Sequence, residues 1–111
     1  MKYLCLVYAE EPALASVSDS ECVANGTMLK AGGHYIAAES LQPARTARTV
    51  RVRDGHVNVT DGPYTEAKEL VAGFYLIDAK GWDEAIALAA KIPPARVGGI
   101  EVRPVRELHV D

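Results

Sequence analysis

The sequence has little cysteine, no long apolar segment and no excess of basic residues. Its two cysteines, Cys5 and Cys22, are too few for a disulfide framework, and neither has a second Cys or a His at zinc-site spacing. No apolar run approaches the about 18 residues of a membrane span. The formal net charge of -3 provides no general attraction for a polyanion. We therefore expect reduced thiols, no metal, no membrane segment and no direct nucleic-acid binding.

The motifs of four common enzyme classes are also absent. The chain contains no GxGxxG, GxxxxGK[ST], GxSxG or HExxH pattern. These patterns mark dinucleotide-binding proteins, P-loop nucleotidases, α/β-hydrolases and zinc proteases. We therefore expect no cofactor.

The length and composition indicate a single domain over residues 1–111. With 111 residues, of which 49% are hydrophobic, the chain can fill one core but not two. The apolar run that opens the chain is short, and Glu10 and Glu11 interrupt it before any cleavage site. This pattern predicts a first strand rather than a signal peptide, so we expect a cytoplasmic protein.

Apolar periodicity predicts an α+β protein. Ser18 and Glu21 have the spacing of a capping box, which begins a helix that Gly32 and Gly33 end. A second helix carries an apolar stripe and ends before two prolines; the stripe consists of Trp82, Ala85, Ile86 and Ala89. Short apolar runs predict further strands over residues 3–8, 35–41, 70–77 and 99–105.

Residues 46–61 predict a β-hairpin. Two alternating runs are joined by Asp54 and Gly55, a pair typical of a two-residue type I′ turn. This turn sets the register, and the facing pairs are then Arg48 with Asp61, Val50 with Val59, and Val52 with Val57. The four valines share one face, which we expect to be buried.

The order of these elements predicts a ferredoxin-like split β-α-β fold with an inserted β-hairpin. Its two helices would cover one face of the sheet. The strands at residues 3–8 and 70–77 are apolar on both faces, and the chain has no third predicted helix to cover the second face. A second copy of the same sheet is the simplest cover, so we expect a homodimer.

Two segments resemble a known family. Residues 60–69 read TDGPYTEAKE and residues 73–77 read GFYLI, which closely resembles the signature of the DGPF branch of the YCII-related family, with Tyr64 in place of Phe. The opening MKYL and the closing IEVRPV are also similar to this family. The resemblance implies a dimeric ferredoxin-like α+β barrel. It also implies suspected enzymatic activity from a histidine and an aspartate, and for some DGPF members an association with sigma-factor-type transcription proteins.

The candidate catalytic residues are Asp61 and His34. Asp61 matches the motif aspartate, whereas His34 follows Gly33 and does not lie in the first helix, where better-known YCII-like members carry their histidine. Each has a structural alternative. Asp61 can bond its own turn or pair with Arg48, and a cationic His34 can stabilise the end of a helix.

The candidate substrate-binding residues offer phenols and charges. Tyr75 shares a strand face with Gly73, which leaves room for a ligand or for a close backbone approach. Loop charges either clamp a polar ligand or are simply solvated. The full set is Tyr8, Arg48, Tyr64, Glu66, Lys68 and Tyr75.

Three functional hypotheses follow. The first is a cofactor-independent enzyme that acts on a small polar or aromatic metabolite in a dimer cleft. The second is a non-catalytic ligand-binding or regulatory dimer, associated with sigma-factor-type transcription proteins, and the third is a structural dimer. A pocket lined by titratable groups would favour the first.

Overall fold

The computed structural model, which describes residues 1–110, contains two antiparallel sheets. The larger sheet has four strands, and their order across it is β2 (Tyr35–Ser40), β5 (Leu70–Asp78), β1 (Lys2–Ala9) and β6 (Gly99–Pro104). The smaller sheet is a hairpin of β3 (Arg48–Arg53) and β4 (His56–Asp61), inserted between β2 and β5. This arrangement confirms the predicted ferredoxin-like α+β fold with an inserted hairpin.

Within residues 1–110, three α-helices connect the strands. They are α1 (Glu11–Leu14), α2 (Asp19–Ala31) and α3 (Trp82–Ala89), and two short 3-10 turns lie at Ala44–Thr46 and Pro93–Arg96. The backbone N–H of Glu21 donates to Ser18 Oγ at 3.2 Å, and that of Ser18 donates to Glu21 Oε2 at 2.9 Å. The predicted capping box of α2 is therefore confirmed. The one-turn α1 was not predicted. None of the helices in residues 1–110 is long and apolar enough to cross a membrane.

The core lies between the helices and one face of the larger sheet. Tyr3, Cys5, Leu29 and Ile77 are almost completely buried there. Burial raises the pKa of the Cys5 thiol to about 11, as expected for a structural thiol that stays protonated.

The predicted apolar stripe of α3 is only partly buried. Ala85 and Ala89 face the core, and Leu88 joins them. Trp82 and Ile86, by contrast, are 49% and 55% exposed. Helical periodicity groups residues by direction, but the docking angle on the sheet decides which part of the apolar arc is covered.

The second face of the larger sheet is apolar and only half-buried in the single chain. Side chains alternate along β1 and β5, so those between the core residues point to this face. They include Leu4, Leu6, Phe74 and Leu76, all of intermediate burial.

The hairpin has the predicted register, but its valine face is not buried in the single chain. The facing pairs of β3 and β4 run from Arg48 with Asp61 to Arg53 with His56, as predicted. The turn has positive φ at both Asp54 (51°) and Gly55 (75°), as a type I′ turn requires. The prediction that the four valines are buried is wrong for the single chain, because they are 58–66% exposed. On the opposite face only Thr49, at the base of the hairpin, is buried at 9% exposure, while Arg51 is half-buried and every residue of β4 is exposed.

Candidate functional site

Residues 62–69, here called the motif loop, leave the hairpin at its base. The backbone N–H of Gly62 donates to the Ala47 carbonyl at 2.7 Å, and the Thr49 hydroxyl donates to the Gly62 carbonyl at 2.9 Å. Gly62 has a φ of 105°, in the region that favours glycine. These two hydrogen bonds hold the start of the motif loop against the hairpin.

Asp61 lies immediately before this anchor and points into solvent. Its side chain is 94% exposed, and Oδ1 is 3.7 Å from Nε of Arg48, which is itself 76% exposed. An exposed ion pair of this length contributes little to stability because water screens both charges. The hydrogen bonds that hold the motif loop come from Thr49 and Ala47 rather than from the Asp61 carboxylate.

Tyr64 of the motif loop contacts the hairpin. The Arg51 guanidinium carbon lies 4.6 Å from the centre of the Tyr64 ring, a cation–π distance. The ring remains 68% exposed, so most of it is available to a ligand or a partner.

Two adjoining cavities, of about 640 and 550 Å³, lie beside the motif loop, and we call them together the motif groove. Both have walls from the segment after β2, the motif loop and the start of β5, including Leu41, Pro43, Pro63, Leu70 and Val71. The larger cavity adds Lys68, and the smaller adds Tyr8 and Tyr64. The structure thus brings three of the predicted binding residues to one groove.

Of the two basic residues that line the motif groove, one forms an ion pair and the other does not. Arg45 lines the groove, and its Nη1 is bonded to Glu11 Oε1 at 2.8 Å. Lys68 forms no ion pair with any other residue in 1–110. Glu10 and Glu11 also line the larger cavity, so its lining carries two acidic and two basic residues, and Lys68 is the basic residue whose charge is free for a ligand anion.

His34 lies at the opposite end of the sheet. Its Nδ1 is 2.8 Å from the Asp78 carbonyl oxygen, and since a carbonyl only accepts, Nδ1 carries the proton. The same nitrogen is 3.8 Å from Glu84 Oε1. Asp78 ends the nine-residue β5, whose start borders the motif groove. At about 3.3 Å per residue the two ends are roughly 27 Å apart. A single chain therefore does not bring His34 to Asp61.

Tyr75 and Glu66 lie outside the motif groove. Tyr75 is 8% exposed and faces α2 across the helix-covered side of the sheet. A Cβ at Gly73 would stand 2.8 Å from the Glu39 carbonyl oxygen, so this glycine permits the close approach of β2 and does not leave room for a ligand. Glu66 is exposed on the motif loop.

Sequence reasoning missed two residues of this region, Arg45 and Thr49. Arg45 is not among the candidate residues taken from the sequence, although it bonds Glu11 beside the groove. The deduced register places Thr49 opposite Thr60, two residues before the motif loop begins, and this position is the sequence signal for its role. Among residues 1–110, no three His, Cys, Asp or Glu side chains are grouped as metal ligands.

Comparison with known proteins supports the resemblance seen in the motif. Over 67 residues, 59% of the chain, it is 43% identical to an uncharacterized protein of Rhizobium meliloti (strain 1021). The match spans about half of that relative, 54% of its length. The family model of the YCII-related domain matches residues 1–109, almost the entire chain. The protein is therefore a member of the YCII-related family.

Proposed function

We propose that this protein is a homodimeric binding protein for a small aromatic carboxylate, held in the motif groove. The observation that carries the proposal is the convergence of Tyr8, Tyr64 and Lys68 on one groove. Cavities of 550–640 Å³ lie within the usual range for small-molecule sites. A ring can lie against the tyrosines while Lys68 binds the carboxylate as a point charge.

Binding has more support than catalysis. A general base must lie within hydrogen-bond reach of the proton that it removes. Asp61 points into solvent, and His34 is engaged with Asp78 at the far end of the sheet. The groove thus has recognition groups but lacks the proposed pair of proton-transfer groups from a single chain. A cofactor-independent enzyme is the second candidate function. The phenols of Tyr8 and Tyr64, which line the groove, are the groups that would transfer protons in it.

Two apolar surfaces support the homodimer. One is the half-buried face of the larger sheet with Leu4, Leu6, Phe74 and Leu76. The other is the valine face of the hairpin, which is 58–66% exposed on an isolated two-stranded sheet. Such a hairpin is marginally stable in water unless something packs on it. A partner subunit that buries more than about 1,000 Å² in total would cover these surfaces. If the protein has a regulatory role, we propose that the dimer with its ligand bound contacts a sigma-factor-type protein.

Titration with 4-hydroxybenzoate, followed by NMR of the backbone amides, tests the binding site. We expect saturable shifts at Thr65 and Lys68 and none at His34. Lys68→Met should weaken binding about tenfold because it removes a charge-assisted contact. Lys91→Met, on an exposed lysine after α3, is the matched control and should bind like the wild type.

Neutral 4-hydroxybenzamide separates charge recognition from simple packing. It should bind more weakly than 4-hydroxybenzoate to the wild type and equally weakly to Lys68→Met. If the groove amides do not shift at millimolar ligand, or if Lys68→Met binds as well as Lys91→Met, the proposal is wrong. Conversion of the ligand during the titration would favour the enzyme instead.

A further inference from the structure

The hairpin face opposite the valines is polar and basic, and we call it the basic face. The register of β3 and β4 places three facing pairs on it, namely Thr49 with Thr60, Arg51 with Asn58, and Arg53 with His56. Apart from the buried Thr49 and the half-buried Arg51, these residues are exposed. None of them is an Asp or a Glu, so positive charge is the only charge that the face carries.

The acidic residues of the hairpin lie away from the basic face. Asp54 belongs to the turn, and Asp61 shares the other face with the valines, where it lies opposite Arg48. The formal net charge of the chain is -3, so a polyanion meets no general attraction. Any affinity for one must come from a local concentration of positive charge such as the basic face.

The two arginines of the basic face are free to bind an anion. Neither Arg51 nor Arg53 forms an ion pair with another residue in 1–110. Nη1 of Arg53 donates to the carbonyl oxygen of the adjacent Val52 at 3.0 Å. A guanidinium has five N–H donors in a planar fork, so both side chains keep donors for phosphate oxygens.

The motif loop adds an aromatic ring to the basic face. The Arg51 guanidinium lies over one side of the Tyr64 ring, 4.6 Å from its centre, and the Tyr64 side chain is 68% exposed. The other side of the ring is therefore open to a planar group. Thirteen positions separate Arg51 from Tyr64 in the chain, so the path of the motif loop brings them together.

Cations beside an exposed aromatic ring suit a single-stranded nucleic acid better than an acidic peptide. Bases stack on aromatic side chains while basic residues contact the phosphates. Asn58 and Thr60 add groups of the kind that bond phosphate and sugar oxygens. An acidic peptide would satisfy the arginines but would bring no base to the Tyr64 ring.

We propose that the basic face and Tyr64 bind single-stranded nucleic acid, with a base stacked on Tyr64 and phosphates on Arg51 and Arg53. The valine face lies on the other side of the hairpin and stays available to the partner subunit of the proposed dimer. The surface goes beyond the carboxylate site, because neither arginine lines the motif groove and Tyr64 is the residue that the two share.

Fluorescence anisotropy with labelled oligodeoxythymidine of about 15 nucleotides tests the charge contacts. Two phosphate contacts predict a slope of about -1.4 for the logarithm of the binding constant against that of the salt concentration. Arg53→Gln should weaken binding about tenfold and reduce this slope by about 0.7. Arg106→Gln is the matched control for net charge and should bind like the wild type. It follows Val105, whose N–H donates to Lys2 at the end of β1 away from the motif groove.

Tyr64→Leu tests the stacking contact. It should weaken the binding of oligodeoxythymidine about tenfold but leave the salt slope unchanged, since stacking involves no phosphate charge. A sugar-phosphate strand of the same length without bases is the matched probe. It should bind the wild type more weakly than oligodeoxythymidine does, and it should bind Tyr64→Leu and the wild type equally.

The proposal is overturned if oligodeoxythymidine does not bind at low salt, if Arg53→Gln binds as tightly as Arg106→Gln, or if the strand without bases binds the wild type as tightly. Equal binding of polyglutamate would also overturn it and would indicate an acidic protein partner instead. Should Tyr64→Leu not fold, Arg53→Gln decides. Arg53→Gln should bind 4-hydroxybenzoate like the wild type, so failure of this surface is distinguishable from failure of the carboxylate site.

Discussion

The Arg51 guanidinium carbon lies 4.6 Å from the centre of the Tyr64 ring. Arg51 lies on the hairpin face opposite the valines, and Tyr64 belongs to the motif loop that forms one wall of the groove. This contact therefore couples the position of the hairpin to the shape of the groove. Thr49 reinforces the coupling through its hydrogen bond to the Gly62 carbonyl.

Arg51→Gln should loosen the motif loop without unfolding the domain. An exposed cation–π contact contributes about 0.5–1 kcal/mol, which is small beside the stability of a domain. We expect faster hydrogen exchange in residues 62–69 and a nearly unchanged unfolding midpoint. Arg53→Gln is the control, because the Arg53 guanidinium donates to the neighbouring Val52 carbonyl and does not reach the loop. Equal exchange in the two variants would show that the contact does not order the loop.

Substitutions at two glycines should have opposite effects on stability. Gly55→Val places a β-branched residue at a φ of 75°, which should lower the free energy of unfolding by about 1–2 kcal/mol or more. Gly26→Ala lies inside α2 with open space around it and should raise that free energy by about 0.5–1 kcal/mol. Chemical denaturation of both variants measures the difference. A stabilised Gly55→Val would be incompatible with the type I′ turn.

The valine face of the hairpin should contribute to the proposed dimer. Val50→Lys puts a charge in the middle of the apolar face and should raise the dimer dissociation constant at least about tenfold. Asn58→Lys adds the same charge on the opposite face of the hairpin and should have a smaller effect. Sedimentation equilibrium of the two variants gives the constants. A wild type that is monomeric at micromolar concentration would remove the basis of the prediction.

Glu21 of the capping box should make the free energy of unfolding depend on pH in the acidic range. Its pKa is lowered from the ordinary value of 4.5, mainly because its carboxylate accepts the backbone N–H of Ser18, and further because of Arg96, whose Nη2 lies 2.9 Å away. A depressed pKa in the folded state means that the stabilisation is complete above the ordinary value and lost as pH falls through the folded value.

Glu21→Gln tests this dependence because glutamine keeps the shape and the acceptor of the cap while removing the charge. We expect the variant to be less stable than the wild type near neutral pH, with a difference that shrinks as pH falls below the ordinary value of 4.5. Urea denaturation at a series of pH values measures it. A difference that stays constant or grows in acid would contradict the assignment.

Part of the candidate site could be predicted from the sequence. The motif segment contains Tyr64 and Lys68, and the structure places both at one groove together with Tyr8 of β1. Arg45 could not be placed, since its contact with Glu11 joins segments 34 residues apart and leaves no local pattern. His34 was a candidate through its position in the chain alone, but the length of β5 separates it from Asp61.

The sequence by itself determined the local features of this protein. The capping box of α2, the turn at Asp54 and Gly55, and the register of the hairpin follow from spacing and backbone preference, which act over a few residues. Tertiary structure alone decided what covers the hairpin: the start of the motif loop packs on Thr49 and bonds it, whereas the valine face stays open, with Val52 58% exposed. The two-residue repeat of a strand tells which side chains share a face. Whether that face is buried depends on what packs against it, and this is set by contacts between distant segments.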